Sequence, residues 1–363
     1  MRGSRGPDPL SRLFPVKHRP GLIGGAASAG GCCIEADRRV TSTLHKGVRV
    51  EEDAVLRKTI LWLAANQQVK QAISTMPVSS GVVNRYVPGE TTADAVAAAA
   101  TISSDGRKVT LDHLGEDTLD IAQAQSTVAA YLDLLKGLTD AGLAADAEVS
   151  VKLSAVGQAL GADGMKISLD NARLIAQAAR NAGTTVTIDM EDHTTTDATL
   201  ETLMELRKDF PETGAVIQAY LHRTEADAKA LAYEGSRVRL CKGAYKEPES
   251  VAFQDRAEVD KSYVRCLKVL MKGDGFPMVA SHDPRMIAIA GSLAVQNNRK
   301  PGTYEYQMLY GIRAEEQKRL AAAGETMRVY VPYGTEWYGY LMRRLAERPS
   351  NLTFFLRSLI SQK

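Results

Sequence analysis

Two adjacent arginines, Arg343 and Arg344, sit in a segment whose other residues argue for burial. Over 329–350, VYVPYGTEWYGYLMRRLAERPS, the pattern predicts a strand, a tight turn at Pro332 to Gly334 and a helix closed by Pro349. Thr335 is the expected N-cap, with Glu336 in the first turn, where the helix dipole favours an anion. At about 100° per residue, Trp337, Tyr340, Leu341 and Leu345 form one apolar stripe, and Arg344 falls inside it. A guanidinium on a buried face needs an anion. Glu347, one turn along, offers an internal salt bridge, and a bound anionic ligand is the alternative.

Other polar and ionisable residues close short β-rich runs: Asp112 to Glu116, Lys152, Asp189 with Glu191-Asp192-His193, Gln218, Arg239 with Lys242, His282-Asp283, Gln307 and Tyr330. Three chemistries could use such a set. A metal-dependent hydrolase would draw on His113, His193 and His282, but no His-x-His or helical His-x-x-x-His spacing signals a closed ligand set. A Schiff-base aldolase would use Lys152 or Lys242 as a desolvated nucleophile. A cofactor enzyme would use the same groups to hold a polar heterocycle and a small anionic substrate.

The elements that must position these groups alternate regularly. Strands are expected at Lys108–Leu114, Glu148–Leu153, Thr184–Met190, Ala215–Tyr220, Val238–Cys241, Pro277–Ser281, Tyr304–Leu309 and Met327–Val331. Helices are expected at Ala122–Ala141, Asp170–Ala182, Thr199–Phe210, Glu225–Glu234, Arg256–Met271, Pro284–Gln296 and Glu315–Ala323, then in the arginine segment. Eight of each is the count of an α/β fold of the (β/α)₈ TIM-type barrel class, which typically takes about 250 residues. A doubly wound sheet fits less well, because no glycine-rich first turn is present. In a barrel, the listed polar groups all fall at strand C-termini, the face on which barrel enzymes carry their chemistry.

Two extra N-terminal helices are expected, one from Glu51 to about Pro77 and one following Gly89-Glu90-Thr91-Thr92. The implied division is an unassigned or expression-derived leader over 1–45, a helical segment over 46–104 and the barrel over 105–357. The glycine cluster at 21–31 follows no predicted strand, so it is not read as a phosphate loop.

The 363 residues are 44% hydrophobic with net charge +2, which suits a folded chain and gives no electrostatic case for nucleic acid. Cys32, Cys33, Cys241 and Cys266 have neither disulfide nor zinc spacing, so a reducing compartment is expected. No run of about 18 apolar residues is present.

The blocks SVKLSAVG (150–157), TIDMED (187–192), VIQAYL (216–221), RLCKGAYKE (239–247), VASHDP (279–284), EYQMLYGI (305–312) and VYVPYGTEWYGYLMRRLAE closely resemble the proline dehydrogenase family. They come in the family's order, one per strand, from about Tyr86 to Leu356, and the absence of an aldehyde-dehydrogenase half points to the monofunctional bacterial type. The resemblance implies an FAD-dependent barrel that oxidises L-proline to 1-pyrroline-5-carboxylate by hydride transfer from C5 to flavin N5. It implies a quinone acceptor, transient contact with a pyrroline-5-carboxylate dehydrogenase, and a cytoplasmic location with peripheral contact at the inner face of the plasma membrane.

Residue by residue, the resemblance makes Asp189 and Arg239 the catalytic pair. Lys152, Arg343 and Arg344 become the clamp on the proline carboxylate, a charge-assisted arrangement of ammonium and guanidiniums. Tyr245, Leu309 and Tyr330 become the wall around the pyrrolidine ring, with Tyr330 leaving little room for a 4-hydroxyl. Cofactor contacts fall to Met190, Gln218, Lys242, Gly243, Ala244, Arg256, His282, Asp283 and Gln307, and Glu116 becomes a gate pairing with Arg343. Two positions depart from the family's commoner residues: Lys246 follows KGAY where long members often carry an aromatic, and Cys241 replaces a valine expected in the core.

Overall fold

The computed structural model describes residues 83–116 and 118–347, with backbone alone over 343–347. The leader over 1–45 and the helix expected from Glu51 lie outside the described residues. Helix α1 (Thr92–Ser103) leads into β1 (Lys108–His113), and its start is set by a capping box. Thr91 Oγ1 accepts from the Asp94 N–H, and Asp94 Oδ2 accepts from the Thr91 N–H at 3.0 Å.

From there strands and helices alternate: α2 (Ile121–Asp140), β2 (Ala147–Val151), α3 (Gly164–Ala182), β3 (Val186–Ile188), α4 (Thr196–Asp209), β4 (Gly214–Gln218) and α5 (Thr224–Leu231). The second half runs β5 (Arg237–Cys241), α6 (Arg256–Lys272), β6 (Phe276–Ala280), α7 (Pro284–Gln296), β7 (Glu305–Leu309), α8 (Ala314–Ala322), β8 (Met327–Tyr333) and α9 (Trp337–Glu347). The eight strands pair in parallel, in chain order, and β1 closes on β8, giving the expected (β/α)₈ barrel.

The strands alternate by side, as a pleated sheet dictates. Val109, Leu111, Val149, Val151, Ile188, Ile217, Leu240, Val279, Met308 and Val331 are buried between the sheet and the surrounding helices. The alternate residues point into the barrel, where branched aliphatics usually stack in layers. Here they are Thr110, Asp112, Glu148, Ser150, Thr187, Arg239, Glu305, Gln307, Arg328 and Tyr330, of which all but Tyr330 are classed among the buried polar groups. The inside of this barrel is mostly polar, with Val216, Met278 and Ala280 among its apolar members.

Several boundaries differ from expectation. Helix α3 starts at Gly164 rather than Asp170, because the face it buries in its first turns is made of Gly164 and Ser168, too small and polar to produce a hydrophobic period. Gly164 also lies so close to the preceding loop that a Cβ there would sit 2.2 Å from the Gln158 carbonyl. Strand β8 runs through Pro332 to Tyr333, where the sequence suggested a turn. Pairing with β1 continues there, and the Leu114 N–H donates to the Tyr333 carbonyl at 2.8 Å. The turn is therefore Gly334–Glu336, and α9 begins at Trp337, so Thr335 is not its N-cap.

Trp337, Tyr340 and Leu341 are buried as the stripe required, but so are Tyr338 and Met342, so the first turns of α9 are covered on most sides. Trp337 Nε1 donates to Glu90 at 2.7 Å, tying this helix to the segment before α1. The side chains of Arg343, Arg344, Leu345 and Glu347 lie outside the described residues.

Candidate active site

At the C-terminal ends of the strands lies a cavity of about 670 Å³. Its lining includes Lys152, Asp189, Met190, Gln218, Arg239, Lys242, Gly243, Ala244, Tyr245, His282, Asp283, Gln307, Leu309, Tyr330 and Glu116. Fifteen of the eighteen residues singled out in the sequence thus meet around one space. Arg256 does not line it: its side chain is exposed in the first turn of α6. Arg343 and Arg344 are the other two, and only their backbone is described.

The cavity floor is a connected ionic cluster. Lys152 Nζ lies 2.7 Å from Asp112 Oδ2 and 3.8 Å from Asp189 Oδ2. Asp189 accepts from Ser150 Oγ at 2.8 Å, Arg239 Nη1 at 2.8 Å and the Tyr330 hydroxyl at 2.9 Å. Arg239 also donates from Nε to Gln307 at 2.6 Å and from Nη1 to Ser150 at 2.9 Å, and its guanidinium lies 5.3 Å from the Tyr330 ring centre. Six strands thus converge on a few atoms, and each side chain is fixed by at least one neighbour.

Burial works against charge at Lys152, but Asp112 and Asp189 outweigh it and hold its pKa above the usual lysine value. Burial likewise opposes the charge on Arg239, and Asp189 and Glu148 overcome it. Asp112 moves the other way: burial raises its pKa, with Lys152 opposing and Asp189 adding to the rise. Asp112 Oδ1 is buried with no hydrogen-bond partner among the described residues. Burial, Asp112 and Asp189 keep the Tyr330 phenol neutral, so it serves as a donor.

Beneath this floor is a second charged layer that the sequence reading did not assign. Glu148 accepts from Thr110 at 2.8 Å, pairs with Arg237 and lies 3.4 Å from Arg239 Nη2. Glu305 Oε1 accepts from Arg328 Nε at 2.8 Å and Gln307 Nε2 at 2.6 Å. Burial alone would raise the Glu148 pKa, and Arg237, Arg328 and Arg239 reverse this and hold it well below the carboxylate range. This layer fixes Arg239 and Gln307 from below. Its signal in the sequence is the alternation Glu148-x-Ser150-x-Lys152, Arg237-x-Arg239, Glu305-x-Gln307 and Arg328-x-Tyr330.

On the rim, Lys242 pairs with Asp260 and, at 3.0 Å, with Asp283; Arg285 joins both acids at 2.6 Å. The Arg285 hydrogen bond is the main reason the Asp283 carboxyl is held far below its ordinary value. His282 Nε2 accepts from the Leu309 N–H at 2.9 Å, which leaves the proton of the neutral ring on Nδ1. Gly243 has φ +118°, and a Cβ there would sit 2.2 Å from the Tyr220 ring. Its need for a bare backbone is therefore internal to the turn. Cys241, expected in the core, is instead a half-buried part of the cavity wall.

The three histidines of the hydrolase reading are apart. His113 packs edge-on to Tyr131 and Tyr333, His193 Nδ1 faces Glu247, and His282 supports β7. Among the described residues, no group of three or more His, Cys, Asp and Glu could hold a metal ion. The aldolase reading needs an uncharged lysine, whereas Lys152 is held charged by two carboxylates.

Known proteins agree with the geometry. The proline dehydrogenase family model matches residues 95–357. Proline dehydrogenase of Deinococcus radiodurans is 36% identical over 310 residues, covering 85% of this chain and 99% of that protein. Proline dehydrogenase 1 of Bacillus subtilis (strain 168) is 34% identical over 308 residues, covering 85% of this chain and 100% of that one. The crystal structure of proline utilization A from Bdellovibrio bacteriovorus, inactivated by N-propargylglycine, superposes with a TM-score of 0.69 at 25% identity, over 79% of this chain and 38% of that one. With a matching barrel, a matching order of blocks and relatives aligned along nearly their whole length, this chain belongs to the proline dehydrogenase family.

Proposed function

We propose that this protein oxidises L-proline to 1-pyrroline-5-carboxylate with FAD, the first step of proline catabolism, and that the electrons pass on to a quinone. The observation that carries this reading is the buried Lys152 on the cavity floor, between Asp112 and Asp189. A small zwitterion needs a cation for its carboxylate and a nearby acceptor for its amine, and the floor offers both. Lys152 and Arg239 balance Asp112 and Asp189, so an arriving carboxylate calls for further positive charge. Arg343 and Arg344, three and four positions beyond the cavity-lining Tyr340 in α9, are assigned that role.

The lining suits FAD. Arg239, Gln307 and Lys242 are donors, the amide oxygen of Gln218 remains an acceptor while its nitrogen serves the Glu191 carbonyl, and Met190, Val216 and Ala280 supply apolar contact. When bound, FAD supplies the two-electron oxidant, taking up at N5 the hydride lost from proline C5. The protein's part is positional. Lys152 and the α9 arginines would orient the carboxylate, Asp189 would face the substrate amine from the cavity floor, and Arg239 would supply positive charge to the reduced cofactor. Tyr330, Leu309 and Tyr245 bound the pyrrolidine ring, and Glu116 with Arg343 closes the mouth.

Among the described residues, no helix is long and apolar enough to cross a membrane. The product would pass on to a pyrroline-5-carboxylate dehydrogenase activity by transient contact.

The purified protein should be yellow, and L-proline should bleach it without oxygen. Arg344→Met should keep the colour and lose the bleaching, because that residue holds substrate rather than cofactor. A colourless protein that takes up no added FAD would overturn the reading.

A further inference from the structure

Around the mouth of the barrel, four neighbouring strand ends are stitched together by hydrogen bonds that the proposed chemistry does not use. Thr118, two residues past Glu116, donates to the Ser154 carbonyl from its N–H at 3.2 Å and its hydroxyl at 2.6 Å. Ser154, two past Lys152, gives its N–H at 3.1 Å and its hydroxyl at 2.6 Å to the two oxygens of Glu191. Glu191, two past Asp189, accepts at its backbone carbonyl from Gln218 Nε2 at 2.7 Å. Thr118, Ser154, Glu191 and Gln218 are all buried, at 6%, 6%, 8% and 3% exposure.

Burying a carboxylate is costly, and an apolar residue would pack this spot more cheaply if packing were all it did. Among the described residues Glu191 bonds to no lysine or arginine, and both its oxygens accept from one residue, Ser154. The belt runs from the Glu116 segment through the strand ends that carry Lys152 and Asp189 to the one that carries Gln218. We propose that Ser154 and Glu191 are positioning residues that fix the height of the Glu116 segment over the Lys152 ammonium, and so set how tightly the mouth grips a small zwitterion. This rests on the proline reading of the site.

The test uses the FAD-loaded full chain and steady-state kinetics with L-proline. Ser154→Ala should raise KM about tenfold, the loss of one charge-assisted hydrogen bond, with kcat within about twofold. Glu191→Gln keeps an oxygen for the Ser154 N–H and should leave KM close to wild type. In a Glu116→Gln background, Ser154→Ala should raise KM no further, because both act through one segment. A fall in thermal midpoint with unchanged KM, or additive effects on KM, would overturn the proposal. Should Ser154→Ala not fold, Thr118→Val removes only the hydroxyl that donates to the Ser154 carbonyl, at the other end of the belt, and answers to the same two outcomes. Wild-type protein inactive on L-proline would sink the functional reading and this inference with it. Active wild type with an unmoved KM in the variants would sink this inference alone.

Discussion

The two charged layers inside the barrel are built from the same residue types and do opposite things. In the lower one, Glu148 and Glu305 face Arg237, Arg239 and Arg328; both oxygens of Glu148 meet donors, and Glu305 Oε1 accepts from Arg328 and Gln307. In the upper one, Lys152 and Arg239 face Asp112 and Asp189, yet Asp112 keeps a buried oxygen without a partner among the described residues, and a cavity opens above. Glu148 and Glu305 line no part of the cavity, so the lower layer acts as a foundation. The incompletely satisfied one costs stability and gains reactivity from the same imbalance. Arg239 belongs to both and transmits the order of one to the other.

That contrast can be broken from below. Glu148→Ala leaves guanidiniums buried without their main anion and should cost about 3–5 kcal/mol of unfolding free energy, read from urea midpoints. A loss under about 1 kcal/mol would mean that the lower layer is not a foundation.

Acid should sharpen the contrast, because the layers respond with opposite sign. Glu148 has a depressed pKa, so its stabilisation is present above the unfolded value of about 4.3 and is lost as pH falls through the folded value. Asp112 has a raised pKa, so stability falls as pH climbs from the unfolded value of about 3.9 toward the folded one. Glu148→Gln should therefore flatten the loss of stability between pH 7 and pH 3, while Asp112→Asn should steepen it. Parallel curves for the two variants would refute the assignment.

The smallest effect belongs to Tyr330→Phe. It removes one of three donors to Asp189 and should cost about 1 kcal/mol in urea denaturation. A loss several times larger would make Tyr330 part of the foundation instead of the cavity wall.

The sequence revealed these two layers unequally. The upper layer was legible because each member closes a strand, where barrel geometry makes a lysine or aspartate conspicuous, and because the blocks around Lys152, Asp189 and Arg239 resemble a known family. The lower layer passed unread although Glu148, Arg237, Glu305 and Arg328 alternate correctly within their strands. Glu148 and Arg237 are 89 positions apart, and only barrel closure brings them together. Strand positions were readable as short β-rich runs between helical patterns; the start of α3 was not, because Gly164 and Ser168 bury a face with no hydrophobic signal. Pro332 misled by type, since proline suggests a turn while the β1 pairing carries the strand past it. Asp112 was seen as a strand end but not as the anchor of Lys152, for which a distance was needed.

The central claim, that the upper layer is a binding site for the proline carboxylate, turns on Lys152. FAD-loaded Lys152→Met should be titrated with L-proline without oxygen, beside wild type. The account predicts that the yellow colour is kept and that the proline concentration for half-bleaching rises by about a hundredfold or more, the loss of a buried charge-assisted contact. Half-bleaching at the wild-type concentration would contradict it.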